Sequence, residues 1–213
     1  IDPTDDLTFW YVSEYVPTTS SIGWRLRVGS FRLSNAPVPT AAVSRKLHGG
    51  TPYDILLPVI PVGGNIGIEC RSTGGTNDYQ VVTTFAASVT AITTATMTPG
   101  PGGTGSVLGA PIVSGNQVTV NLTNVSDLQR LTVNLIGVVS GTNSGDVSVP
   151  MGMLTGDTNA SGAVSAADVS QTKAQSGNTT TAANFREDVN ASGSVNAGDV
   201  ALVKSKAGNI LPP

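Results

Sequence analysis

The chain has 213 residues, a net charge of −3 and only 12% charged residues, so it offers no basic face broad enough to bind a nucleic-acid backbone. Threonine and serine together account for 47 residues and glycine for 25, a composition typical of β-strands with polar outer faces and many turns. No apolar run approaches the roughly 20 residues that a membrane-spanning helix needs, so no membrane span is expected.

The first 36 residues predict two strands. Residues 7–16 are rich in β-forming side chains and apolar on both alternating faces, which favours a strand buried on both sides. Residues 24–28 alternate, and a change of phase at Gly29 and Ser30 predicts a bulge or a bend before the pattern resumes at residues 31–33.

Most of the aromatic mass of the chain lies in this segment. One interpretation places these side chains in the core of a β-sandwich. The other treats the segment as a terminal strand that completes the sheet of a neighbouring subunit. The residues are Trp10, Tyr11, Tyr15, Trp24 and Phe31.

Many short strands with frequent turn signals continue to about residue 150, a pattern that predicts a β-sandwich. A cluster of proline and glycine at residues 99–105 interrupts them, and no helical period precedes residue 160. The predicted strands are 41–46, 54–57, 66–71, 79–85, 88–97, 106–113, 117–123, 130–138 and 146–150.

No catalytic motif is present, and we expect no enzymatic activity. Glu14 and Glu69 are the only pair worth considering for glycoside hydrolysis, but both lie in strand patterns that predict ordinary outer-face residues. The single histidine, His48, is expected in a turn at a strand end, and it excludes a multi-histidine metal centre. The single cysteine, Cys70, excludes an internal disulfide and is expected to be buried.

The last 60 residues contain an internal repeat. Residues 157–178 and 188–209 are offset by 31 positions, and 12 of the 22 aligned residues are identical. Each repeat has the spacing D-x-N-x-S-G-x-V-x-x-x-D, which is the pattern of a twelve-residue calcium loop. Gly162 and Gly193 stand at position 6, where the loop turns sharply.

The predicted calcium ligands are side-chain oxygens at positions 1, 3, 5 and 12 and the carbonyl oxygen at position 7. Ser165 and Asn196, at position 9, are expected to contribute through a water molecule. The first loop supplies Asp157, Asn159, Ser161, the Ala163 carbonyl and Asp168, and the second supplies Asp188, Asn190, Ser192, the Ser194 carbonyl and Asp199.

An all-oxygen ligand set with two carboxylates per loop predicts two Ca²⁺ sites. Serine at position 5 should weaken binding, so we expect dissociation constants of roughly 10⁻⁴–10⁻³ M or tighter. Such sites fill in millimolar external calcium, which points to an extracellular or cell-surface protein. The alternative is a pair of Asx turns that cap helices without metal.

A short helix is predicted after each loop, over residues 166–175 and 197–206. The two loop–helix units are expected to pack together through a small apolar surface, and so small a core makes bound metal a contributor to folding. The apolar residues are Val164, Val169, Phe185, Val195, Val200, Leu202 and Val203.

The tandem segments GDTNASGAVSAADV and EDVNASGSVNAGDV resemble a type I dockerin, the paired calcium loop–helix module of secreted bacterial proteins. This resemblance implies binding to a cohesin domain. The family often has a Ser-Thr pair at loop positions 10 and 11, where this chain has Ala166-Ala167 and Ala197-Gly198, and these small side chains offer no hydrogen bonds. Upstream, AVSRKLHGG, GIECRSTGGTNDY, VSGNQVTVNLTNV and LTVNLIGV resemble Ig-like modules that precede dockerins.

The sequence therefore predicts a mainly β protein: N-terminal strands at 1–36, an Ig-like β-sandwich at 37–150 and a small all-α calcium module at 154–213. The function we expect is that of a non-catalytic structural protein that assembles into a homo-oligomer or polymer by β-strand addition. The alternative is a docking module for a cohesin-like partner, with the sandwich as a spacer or a carbohydrate-binding domain.

Overall fold

The computed structural model describes residues 2–3, 8–15, 23–32, 35–59, 66–72 and 79–213. The chain divides into two compact units, residues 1–36 and residues 37–213. The predicted domain bounds, at 1–36, 37–150 and 154–213, stay a prediction. Across the described residues, neither helix has the length and apolar content to cross a membrane.

The first unit is a two-stranded antiparallel sheet of β1 (Thr8–Tyr15) and β2 (Arg25–Arg32). The expected bulge is wrong, because the register runs without a shift along all of β1. Gly29 pairs with Tyr11, and a Cβ atom at Gly29 would lie 2.6 Å from the Tyr11 ring. Glycine therefore makes room for a cross-strand tyrosine. Residues 7, 16 and 33, at the ends of the predicted strands, lie outside the described residues.

The aromatic side chains of this unit are not buried, and the expectation that they form a sandwich core is wrong. Phe9 and Phe31 stack with their ring centroids 5.2 Å apart, yet the described residues of this unit form only two strands and supply no second layer to cover the faces of the sheet. The exposed fractions are 59% for Trp10, 49% for Tyr11, 42% for Tyr15, 65% for Trp24 and 53% for Phe31.

The second unit is mainly β, with two short helices at its C-terminal end. Its strands are β3 (Pro39–His48), β4 (Thr51–Leu57), β5 (Gly67–Glu69), β6 (Tyr79–Phe85), β7 (Val89–Ala91), β8 (Thr94–Thr98), β9 (Ser106–Val107), β10 (Ile112–Ser114), β11 (Gln117–Thr123), β12 (Gln129–Ser140) and β13 (Asn143–Met153). Its helices are α1 (Ala166–Gln175) and α2 (Ala197–Lys206), with the bounds that the sequence predicts.

The strands form two sheets. One has the order β10–β11–β6–β3–β4, and β9 also pairs with β11. The other has the order β5–β13–β12–β7, and β8 also pairs with β12. The pairing of β5 with β13 is parallel and all other pairings are antiparallel.

One hydrophobic core joins the two sheets, because alternate residues of their strands point inward. In β11 the buried residues are Val118, Val120 and Leu122, and in β12 they include Leu131 and Val133.

Two predicted strands are each split in two. Residues 88–97 form β7 and β8, and residues 106–113 contribute to β9 and β10. The first break lies beside Gly137, which has φ +64° and whose added Cβ would lie 2.4 Å from Thr93 Oγ1. The register of β12 shifts at this point, so its two halves pair with different short strands.

The C-terminal segment has a second core, and this core includes residues of the two-sheet part of the second unit, from β3 to β13, which we call the sheet unit. Val164, Val189 and Val203 pack with Ile68 of β5 and with Leu154. The two loop–helix units share a core as expected, and the sheet edge also contributes to it through Ile68. Phe185 lies apart from it and stacks on Tyr53 of β4 at 5.4 Å.

Candidate metal centre

In the first loop, the predicted ligand oxygens lie close together because one turn of backbone holds them. The amide of Ser161 donates to Asp157 Oδ1 and to Asn159 Oδ1, both at 2.9 Å. The amide of Gly162 donates to Asp157 Oδ2 at 2.9 Å. Ser161 Oγ lies 3.0 Å from the carbonyl oxygen of Ala163. The oxygens of positions 1, 3, 5 and 7 therefore share one turn, which Gly162 permits with φ +85°.

Asp168 closes this loop from the first turn of α1. Its Oδ1 accepts the amide of Asn159 at 3.2 Å, and its Oδ2 accepts the amide of Ser165 at 2.8 Å. Ser165 is the N-cap of α1 and its Oγ accepts the amide of Ala167, so Ser165 and Asp168 form a capping box. The helix cap and the loop therefore depend on the same carboxylate.

The second loop repeats this geometry. Asp188 Oδ1 accepts the amide of Ser192 at 2.9 Å, and Asp188 Oδ2 accepts the amide of Gly193 at 2.8 Å. Asp199 accepts the amides of Asn190 at 3.0 Å and of Asn196 at 2.9 Å. Ser192 Oγ lies 3.0 Å from the Ser194 carbonyl oxygen, and Asn190 Oδ1 accepts the Ser192 amide at 3.0 Å. All ten predicted ligand residues thus fall into two equivalent clusters.

Both loops also contain an alanine in the left-handed backbone region at position 4, which the sequence pattern did not reveal. Ala160 has φ +58° and Ala191 has φ +56°. This conformation costs an L-residue about 1–2 kcal/mol. Its occurrence at the same position of both repeats shows that the loop imposes it.

The electrostatics of both loops suit a divalent cation. Burial raises the pKa of Asp157 above its ordinary value, and the negative charge of Asp168 adds to the rise against the hydrogen bonds from Gly162 and Ser161. Burial also raises the pKa of Asp199, with a further contribution from the charge of Asp188. Each loop thus brings together two repelling carboxylates with neutral oxygen donors. This set fits Ca²⁺, a hard cation with a preference for oxygen.

Within the described ranges, no cluster of three or more His, Cys, Asp or Glu side chains exists. Neutral oxygens must therefore complete each ligand set. Ser165 and Asn196 act as helix N-caps in this structure, and their expected contribution through water stays a prediction.

Each loop pairs with the segment that follows the other repeat's helix. The Val164 amide donates to the Asn209 carbonyl at 2.8 Å, after α2, and the Val195 amide donates to the Asn178 carbonyl at 2.9 Å, after α1. The two loops are therefore tied to each other reciprocally, and neither repeat is complete without its partner.

Sequence reasoning missed one contact to each loop, from the sheet unit to the second loop and from the connector between the repeats to the first. His48 Nδ1 lies 2.9 Å from Asp188 Oδ2, and both side chains are fully buried. Arg186, in the connector between the repeats, donates to the Asp157 carbonyl at 3.0 Å and to the Thr158 carbonyl at 2.7 Å. No local pattern could have indicated the first contact, because its residues are 140 positions apart. His48 does lie at a strand end as expected, but it is buried there.

Of the residues considered for catalysis, Glu69 and Cys70 are buried and Glu14 is exposed. Glu69 was expected on an outer face, and this is wrong: it is fully buried in an ion pair with Arg71 at 2.8 Å. Burial opposes its ionisation, but the charge and hydrogen bonds of Arg71 outweigh burial and bring the pKa of Glu69 to about 2. Cys70 is buried as expected, and burial raises its thiol pKa to about 11, which disfavours the nucleophilic thiolate. Glu14 is exposed on β1.

Comparison with known proteins identifies this C-terminal segment. Residues 155–208 match the family model of the dockerin type I domain. Searches of the curated proteins and of the solved structures found no significant match. Dockerin domains bind calcium, in agreement with the oxygen clusters of both loops. The match over residues 155–208 is consistent with a dockerin type I module in the C-terminal part of this chain.

Proposed function

We propose that the chain is a non-catalytic, exported protein whose C-terminal module docks onto a cohesin-like partner when both of its loops hold calcium. The observation that carries this proposal is the match of residues 155–208 to the dockerin type I family, together with the two equivalent oxygen clusters within them. Dockerin modules occur in exported or cell-surface proteins, which supports the location. The buried ion pair of Glu69 and the buried thiol of Cys70 support the absence of catalysis.

The exposed sides of the two helices form the face that we assign to the partner. At loop positions 10 and 11, the side chains of Ala166, Ala167 and Ala197 and the backbone of Gly198 are exposed. A shallow groove runs between the helices, and its lining residues are Lys173, Ser176, Ala197, Val200, Ala201 and Lys204.

The chemistry of this groove suggests how a partner is recognised. Val200 and Ala201 give it an apolar floor, and Lys173 and Lys204, which occupy equivalent positions of the two repeats, place a positive charge on each side. Docking then depends on close apolar contact in the centre and on acidic groups of the partner at the rim. This replaces the hydrogen bonds that a Ser-Thr pair would supply.

For the sheet unit we propose an Ig-like β-sandwich that acts as a spacer. The support is its two sheets around one shared core and the crossovers implied by neighbours that are not consecutive in the chain. Among its described residues, the large apolar side chains that are exposed are aliphatic, and they offer no aromatic ring for stacking on a sugar. The spacer role is therefore favoured over carbohydrate binding.

Self-assembly by strand addition has less support than docking. The family match speaks for a cohesin-like partner, and it carries no indication of a polymer. In addition, β1 pairs with β2 along its whole length, so one of its two edges is already used.

The test is binding to a panel of immobilised type I cohesins by surface plasmon resonance in millimolar calcium. Ala201→Arg places a long cation in the apolar floor and should weaken binding about tenfold or more, equivalent to about 1.4 kcal/mol. Ala182→Arg is the matched control, because Ala182 is also exposed but lies in the connector between the repeats. Absence of binding to every cohesin, or equal binding by both variants, would contradict the proposed docking face.

A further inference from the structure

The hairpin of β3 and β4 touches the second calcium loop at its sharpest turn. The amide of Gly49 donates to the Ala191 carbonyl at 3.3 Å, and a Cβ atom added at Gly193 would lie 2.9 Å from the Gly49 Cα. This close approach brings His48, the last residue of β3, to Asp188 at loop position 1. The first loop has no equivalent hairpin contact among the described residues.

The tautomer of His48 follows from its neighbour Arg71. All five N–H groups of the Arg71 guanidinium have an acceptor. The five acceptors are the two carboxylate oxygens of Glu69, the carbonyl oxygens of Tyr53 and Ser44, and His48 Nε2 at 3.2 Å. Because a guanidinium only donates, His48 Nε2 must accept and carries no proton. The ring proton is therefore on Nδ1, and Nδ1–H donates to Asp188 Oδ2 at 2.9 Å.

The orientation of this ring is held by packing. His48 meets Tyr53 edge-to-face with centroids 5.2 Å apart, and it meets Phe185 edge-to-face at 6.2 Å. Arg71 is held in turn by its fully buried ion pair with Glu69. The donor that faces Asp188 is thus built into the sheet unit before any metal arrives.

The two carboxylate oxygens of Asp188 have different partners, because His48 and Thr180 both donate hydrogen bonds to Oδ2. Oδ2 accepts three hydrogen bonds, from His48 Nδ1 at 2.9 Å, Thr180 Oγ1 at 2.6 Å and the Gly193 amide at 2.8 Å. Oδ1 accepts the Ser192 amide at 2.9 Å and lies 3.4 Å from Ser192 Oγ, itself a predicted ligand atom. Oδ1 is therefore the oxygen that faces the predicted ligand cluster and has more capacity for a metal ion. In the first loop, Asp157 Oδ2 accepts the Gly162 amide and has no side-chain donor among the described residues. The two loops are therefore built differently around position 1.

We propose that His48 is a positioning residue for the second calcium loop, so that the sheet unit completes one of the two metal sites of the dockerin module. The inference rests on the proposed calcium binding by both loops. Partners of this kind fix the orientation and the basicity of a metal ligand, and their loss costs metal affinity about 10–100-fold. Calcium binding at the second loop then depends on a residue outside the module, whereas binding at the first loop does not.

Calorimetric calcium titrations of the full chain test this, with one loop weakened at a time. Asp168→Asn weakens the first loop, so that calcium binding at the second loop can be measured. Asp199→Asn weakens the second loop, so that calcium binding at the first loop can be measured. In the Asp168→Asn background, His48→Phe keeps a ring of similar shape, removes the donor and should weaken calcium binding about 10–100-fold. In the Asp199→Asn background, the same change should leave the affinity within about twofold.

His48→Asn is the rescue variant, because its amide places an N–H donor near the position of Nδ1. It should restore most of the affinity that His48→Phe loses. An equal loss in both backgrounds, or no loss in either, would overturn the role of His48 while the calcium sites themselves remain. Absence of calcium binding in the unmodified chain would instead overturn the calcium loops, so the two failures are distinguishable.

A second measurement needs no variant and no metal. The chain has a single histidine, so long-range ¹H–¹⁵N spectra of the unmodified protein in excess chelator report its tautomer without an assignment problem. The inference predicts a protonated Nδ1 and an unprotonated Nε2. An Nε2–H tautomer, or an average over both, would overturn it even where the His48 variants fail to fold.

Discussion

Replacing the glycine at loop position 6 should affect the two repeats unequally, although their sequences are nearly the same there. Gly162 has φ +85° and Gly193 has φ +94°, so alanine strains the backbone at both positions by about 1–2 kcal/mol. At Gly162, nothing lies within 4 Å of the added Cβ. At Gly193, the Cβ would lie 2.9 Å from the Gly49 Cα and 3.2 Å from its amide nitrogen, and both are backbone atoms that cannot turn aside.

The magnitude follows from these contacts. Overpacking of this kind costs about 1–3 kcal/mol, so Gly193→Ala should destabilise by that much more than Gly162→Ala. For a domain of this size each kcal/mol lowers the melting temperature by about 2–4 °C, which gives a difference of about 2–12 °C. Thermal unfolding of both variants in chelator measures this difference in melting temperature without a contribution from calcium. Equal melting temperatures would refute the close packing of the β3–β4 hairpin on the second loop.

Two further changes give measurable results. Asp168→Ala combined with Asp199→Ala should abolish the rise in melting temperature that calcium produces, because both loops lose their closing carboxylate; an unchanged rise in calorimetry would refute the loop assignment. The pKa of Glu69 is lowered from 4.5 to about 2, so its contribution to stability is complete above pH 4.5 and is lost as the pH falls towards 2. The difference in urea unfolding midpoint between the unmodified chain and Glu69→Gln should therefore become smaller as the pH falls from 4.5 towards 2. A difference that stays constant with pH would contradict the ion pair with Arg71.

The features that the sequence predicts well are local ones. The bounds of both helices are correct because the loop pattern places a capping residue and an aspartate at the start of each. The strands at residues 79–85 and 117–123 are also correct, since each has clear turn signals at its ends. The ligand clusters follow from spacing within twelve residues, which the loop backbone converts directly into proximity.

The features that sequence reasoning misses depend on residues distant in the chain. Glu69 is bound in the core by Ser44, 25 residues away, as well as by Arg71, two residues away, and a strand pattern alone assigns Glu69 to an outer face. The burial of His48 is likewise decided by Asp188, 140 residues away. The aromatic residues of the first unit were expected in a core because hydrophobic strands are usually covered.

Calorimetric titration of calcium into the chelator-treated, unmodified chain tests the central claim most directly. Two loops with equivalent oxygen clusters predict two calcium ions per chain, with dissociation constants of roughly 10⁻⁴–10⁻³ M or tighter, and Asp168→Ala should reduce the number to one. Absence of saturable binding, or a stoichiometry that Asp168→Ala leaves unchanged, would contradict the assignment of these loops as the metal sites of the docking module.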